Sequence, residues 1–157
     1  MKIPLFIQPT LLVAIIPMVG QSAFAGPLAA YRDVNRLIVI SLPAGTTVEK
    51  VSAMLNLNRA EMDERQLKLI DVSEGSPRIT SAVRLTPEQT GFLRRQLKID
   101  VVEARPTFIL LGKDGGEKAR CHGTLDLRKW FTLIDQMPMR RAEIQEQKRQ
   151  GPEPTKN

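Results

Sequence analysis

The stretch RPTFILLGKDGG, Arg105 to Gly116, decides the fold. Phe108 to Leu111 is an unbroken apolar run of strand length, the pattern of a strand covered on both faces. Thr107 opens this strand and Pro106 precedes it, where a missing backbone donor does no harm. Asp114-Gly115 follows. Both residue types accept positive φ, so the pair predicts a hairpin. The returning strand is then Glu117 to His122.

On the N-terminal side, Leu37 to Leu42 (LIVISL) is a second buried-strand pattern, ended by Pro43-Ala44-Gly45. Thr46 is placed to cap a helix, with Glu49 completing a capping box. Val48, Val51, Leu55 and Met62 give that helix one apolar face. Its carboxylates, Glu61, Asp63 and Glu64, read as a solvated surface. Leu67 to Val72 (LKLIDV) is a further strand, and Ser73 to Arg84 a polar loop. Thr86, Pro87 and Gln89 carry the cap, first-turn proline and box residue of another helix. Phe92, Leu93 and Leu97 line its apolar side, and Arg94, Arg95 and Lys98 its basic side.

Beyond the hairpin, Thr124 or Asp126 caps a helix with Leu127, Phe131 and Ile134 at helical spacing, which Pro138 interrupts. A short exposed helix follows Met139, and residues 147–157 read as a charged flexible tail. A strand–helix–strand unit crosses over right-handed and pairs in parallel, whereas the hairpin is antiparallel. The fold class is therefore α/β, a mixed sheet covered by helices.

That order, with Pro106 ahead of the hairpin strand, resembles the thioredoxin-like fold, in which the matching proline is cis and faces the active site. Two segments carry a closer likeness, Phe108 to Gly116 (FILLGKDGG) and Ile134 to Arg141 (IDQMPMRR). On these, the chain over about Ala30 to Glu146 resembles the DUF4174 family of exported bacterial proteins of unknown function. Working thioredoxins hold two cysteines in the turn after the first strand, where a helix N-terminus activates the thiol. This sequence has Leu42-Pro43-Ala44-Gly45-Thr46 there, so dithiol–disulfide exchange has neither nucleophile nor resolving partner. In the resemblance, the groove beside the first helix and the proline loop takes extended peptides by strand-like backbone bonds. It maps to Pro43, Thr46, Arg105 and Pro106.

Cys121 and His122 are the only cysteine and the only histidine, and they are adjacent. Successive residues of a strand face opposite ways. Ala119 and Cys121 share one face; Lys118, Arg120 and His122 share the other. Since lysine and arginine are rarely buried unpaired, Cys121 is expected to face the core and His122 to face away. One cysteine and one histidine do not make a structural zinc site. Gly112 to Gly116 joins two strands and is no phosphate loop. Ser41 has no base placed to activate it. No metal and no cofactor are expected.

Residues 1–25 read as a secretory signal. Lys2 precedes the apolar run Leu11 to Val19, and Ala23-Phe24-Ala25 offers small residues at the cleavage positions. The expected location is periplasmic or secreted. After cleavage no later segment is long enough to span a bilayer. With a formal net charge of +6, the chain suits anionic surfaces, but it lacks the aromatic–basic interleaving of nucleic-acid binders.

The expectation is a thioredoxin-like protein without its reactive centre, binding a protein or an anionic envelope component. Its candidate surfaces are the groove and Arg140-Arg141 with the tail. The alternatives are a single-cysteine redox or stress-response protein using Cys121, and a basic surface protein with Arg94, Arg95, Lys98 and the tail on one face.

Overall fold

A computed structural model describes residues 26–75, 78–100 and 102–150. Its centre is β1 (Arg36–Ser41), which pairs in parallel with β2 (Leu67–Asp71) and antiparallel with β3 (Thr107–Leu111). β3 returns through the Asp114-Gly115 turn into β4 (Glu117–His122), giving a four-stranded sheet of order β2-β1-β3-β4. β1 and β3 are buried along their whole length, which is why their sequences are continuous apolar runs rather than alternating ones.

Side-chain alternation divides the core into two layers. On one face Ile38, Ile40, Leu69, Phe108 and Leu110 pack against Leu55, Met62, Trp130, Phe131 and Ile134. These come from α1 (Val48–Leu57), α2 (Arg59–Glu64) and α4 (Leu127–Asp135). On the other face Leu37, Val39, Ile70, Ile109 and Leu111 meet Leu93 and Leu97. α3 (Pro87–Gln96) supplies Leu93, and a 3-10 turn at Gly26–Tyr31 adds Leu28. α5 (Pro138–Gln150) closes the described chain. No helix among the described residues is long and apolar enough to cross a membrane.

The capping box of α3 forms as the sequence predicts, with Thr86 and Gln89 satisfying each other's main-chain N–H groups. Asp126 caps α4, accepting from the Lys129 N–H. The first helix departs from expectation twice. It starts one residue late, after Thr47, which makes no side-chain cap bond. Thr46 is held in a turn instead: its N–H donates to the Pro43 carbonyl, and its own carbonyl accepts from Arg78. The helix also breaks at Asn58, whose side-chain amide donates to the Met54 carbonyl and competes with helix continuation. The Arg105–Pro106 bond, cis by the resemblance, is trans here. Pro138 does not simply interrupt the last helix; it opens α5, which runs on to Gln150 and so into the expected tail. The rest of that tail and the expected signal lie outside the described residues.

Candidate functional site

In this topology Ser41, Asp71, Thr107 and His122 end or begin their strands at one edge of the sheet, which we call the upper end. The predicted groove lies there. Pro43 and Arg105 come together in the wall of a depression of about 20 Å³, with Ser41, Glu74, Asp100 and Glu103. Thr46 and Pro106 are not part of that wall. The depression is far smaller than the roughly 300 Å³ at which small-molecule sites begin. It is also largely spoken for. The Arg78 guanidinium donates to the Pro43 and Thr46 carbonyls, the Gly123 N–H donates to the Pro106 carbonyl at 2.7 Å, and Arg105 pairs with Glu103 at 3.0 Å. The Pro43, Thr46 and Pro106 carbonyls, which a strand-like peptide could otherwise use, are engaged within the chain. What remains is a rim on which the carboxylates Glu74, Asp100 and Glu103 outnumber Arg105.

Beneath this rim lies a network that the sequence did not disclose. Asp71 is 2% exposed. Its Oδ1 accepts the Ser73 N–H at 2.9 Å, and its Oδ2 accepts the N–H groups of Arg78 and Ile79, the latter at 2.7 Å. Ser73 Oγ in turn accepts the Leu42 N–H. The loops after β1 and β2 are thereby bolted to each other. The one available signal was an aspartate inside the apolar run LKLIDV.

Cys121 is half-buried on β4, packed with Ala119 against the core layer of Phe108 and Leu110. Burial pushes its thiol up from the ordinary value. His122 is exposed on the opposite face of the strand, its Nδ1 3.0 Å from Thr107 Oγ1. The two side chains therefore do not form a nucleophile–base pair. No group of three or more potential metal ligands occurs among the described residues. Arg94 bends inward to donate to the Val72 carbonyl, which leaves Arg95 and Lys98 as the outward cations of the predicted basic face.

The opposite, lower end holds a buried charge cluster. Arg140, expected on a solvent-facing surface with Arg141, is 1% exposed; only Arg141 faces solvent. Arg140 pairs with Glu64 at 2.6 Å and Asp135 at 3.4 Å, and donates to the Glu64 carbonyl. Arg36, equally buried at the start of β1, binds both oxygens of Glu143 at 3.1 and 3.2 Å. Lys113 reaches Glu143 at 2.7 Å and also Gln66. Arg65 binds both oxygens of Asp135 and lies 4.7 Å from the Phe131 ring centroid, a cation–π arrangement. Asp135 and Arg140 belong to the segment IDQMPMRR and Lys113 to FILLGKDGG. The two segments that carry the family likeness thus meet at this end, around a cleft of about 440 Å³.

Several solved structures share the fold. Thioredoxin peroxidase I of Plasmodium yoelii superposes with a TM-score of 0.51 at 15% identity, covering 80% of this chain and 82% of that one. The reduced 2-Cys peroxiredoxin of Plasmodium vivax gives 0.51 at 14% identity, covering 78% and 84%. The mitochondrial 2-Cys peroxiredoxin of Plasmodium falciparum gives 0.50 at 8%, covering 80% and 84%. At such identities the likeness is one of fold, and it identifies the architecture as thioredoxin-like. No curated protein sequence matches the chain. A family defined as a domain of unknown function, DUF4174, matches residues 27–143, and the chain belongs to that family.

Proposed function

We propose that this chain is an exported binding protein of thioredoxin-like fold that carries no dithiol exchange and engages a protein partner through the acidic rim at the upper end of its sheet. The observation that carries this reading is the turn from Leu42 to Thr47. It contains no thiol, and its Pro43 and Thr46 carbonyls are fastened to Arg78. A redox centre needs an accessible thiolate; this turn is instead a rigid floor beneath a carboxylate rim. Export rests on the apolar run Leu11 to Val19 followed by Ala23-Phe24-Ala25. Glu74, Asp100 and Glu103 favour a partner presenting basic groups over an anionic envelope polymer at this surface.

The test has two arms on one preparation of the full chain. A thiol reagent is expected to leave Cys121 untouched in the native protein at neutral pH and to react on unfolding. Rapid native reaction would restore the single-cysteine redox role. Labelled oligolysine is expected to bind and oligoglutamate not, with binding weakened by salt and by Glu103→Gln. Equal binding of both peptides, or of neither, overturns the rim as the contact surface.

A further inference from the structure

We infer that the lower-end cleft is a binding site for a single-chain amphipathic anion, an alkyl chain ending in a carboxylate or phosphate. Its volume of about 440 Å³ falls within the roughly 300–1,000 Å³ typical of small-molecule sites. One wall is apolar and comes from the α4–α5 junction: Leu133, Met137, Pro138 and Met139. Met139 is 45% exposed, an unbranched apolar side chain turned outward beside the cleft. Methionine adapts its shape to flexible apolar ligands. On the other wall three cations, Arg36, Lys113 and Lys118, stand against one carboxylate, Asp114.

Three further observations fix the sign and chemistry of the ligand. In the buried cluster behind this wall, the cations Arg36, Arg65, Lys113 and Arg140 outnumber the carboxylates Glu64, Asp135 and Glu143 by one. The cluster therefore carries net positive charge, and its cations Arg36, Lys113 and Arg140 are themselves buried. Arg36 Nε, in a side chain 1% exposed, has no hydrogen-bond partner among the described residues, so the hydrogen-bonding capacity of this guanidinium is not exhausted by Glu143 and the Arg65 carbonyl. Lastly, Lys118 is folded across the hairpin turn to pair with Asp114 at 2.7 Å. A Cβ at Gly112 would lie 2.5 Å from Lys118 Cε, so glycine is what lets this lysine lie over the turn beside the cleft. An apolar trough with a positive end takes an alkyl chain along the methionines and an acidic head at the lysines. The site lies at the opposite end of the sheet from the acidic rim, and its ligand is independent of any partner there.

The experiment is titration of the full chain, with methyl-labelled methionine, by decanoate, decyl phosphate and decanol, read by NMR. Decanoate or decyl phosphate is expected to shift the Met137 and Met139 methyls selectively, and the tighter of the two names the head group. Decanol is expected to bind at least about tenfold more weakly. Met139→Asp, an exposed position, should weaken the anions about tenfold without lowering the melting temperature. Lys118→Gln should weaken the anions but not decanol. Absence of shifts at Met137 and Met139, or equal binding of decanol and the anions, overturns the proposal.

Discussion

Where β1 stops, the chain ties main chain to side chain: Asp71 gathers three N–H groups and Arg78 spans two carbonyls. Where β1 starts, it ties side chain to side chain: Arg36, Lys113 and Arg140 converge on Glu143, Glu64 and Asp135 from five different elements or their connecting turns. The first solution consumes the polar groups of the loops and leaves a depression of only about 20 Å³ at the predicted groove, while a separate cavity of about 400 Å³ lies beside Asp71, Ser73 and Arg94. The second gathers long charged side chains beside a cleft of about 440 Å³. In thioredoxins the upper end does the chemistry. In this chain the turn after β1 holds no thiol and its depression is nearly filled, and the cleft lined by cations lies at the other end.

Asp71→Ala breaks the upper end most severely. It strands the N–H groups of Ser73, Arg78 and Ile79 in a region where Asp71 itself is buried, at roughly 1–3 kcal/mol for each group water fails to reach. A loss of about 4 kcal/mol in urea denaturation is expected. Asp71→Asn is the sharper variant. Its single acceptor oxygen in the Oδ2 position keeps two of the three bonds, so it should cost well under half as much. If the two variants are equally damaging, the carboxylate acts through its charge and not as a main-chain acceptor.

Arg140→Met makes the corresponding break at the lower end, and about 3 kcal/mol is expected, the low end for removing one partner from a buried pair. Glu64 is 57% exposed on its side chain and can turn to water, which moderates the loss. The methionine retains part of the apolar stem. The change should loosen α5 selectively, so hydrogen exchange ought to speed up in Pro138–Gln150 before β1 and β3. Uniform acceleration across the sheet would mean that the cluster supports the whole core, not the cleft alone.

The contrast between the ends also explains what the sequence could reveal. β3 and β4 were legible to the residue, because an apolar run, an Asp-Gly turn and a return strand are all local signals. β1 begins one residue earlier than its apolar run, at Arg36, because the guanidinium is neutralised by Glu143, 107 positions along the chain. Arg140 looks like surface in the sequence for the same reason: a charge looks solvated until its distant partner is known. Alternation gave the face of Cys121 but not its depth, since β4 is an edge strand and the core thins beneath it. Of the four residues of the predicted groove, Pro43 and Arg105 line one depression, and Thr46 and Pro106 do not. The predicted groove missed Arg78, which fills the acceptors and lies in a loop whose composition reads only as polar.

The gentlest probe of the lower end is pH. Glu143 is partly desolvated, which by itself raises its carboxyl, but the bonds from Arg36 and Lys113 outweigh this and hold it below its ordinary 4.5. A carboxyl with a depressed native pKa stabilises the fold at pH above its unfolded value, and that contribution disappears as pH falls through the native one. The urea midpoint should therefore decline as the solution is acidified below about 4.5, and Glu143→Gln should lack this component of the decline while starting from a lower stability at neutral pH. The difference between the two curves belongs to Glu143 alone, because the other titrating groups are common to both. Parallel curves would show that Arg36 and Lys113 find equivalent acceptors without it. The lower end would then be a cation cluster with replaceable counter-charges, and an anionic ligand could take the place of Glu143 as well as sit beside it.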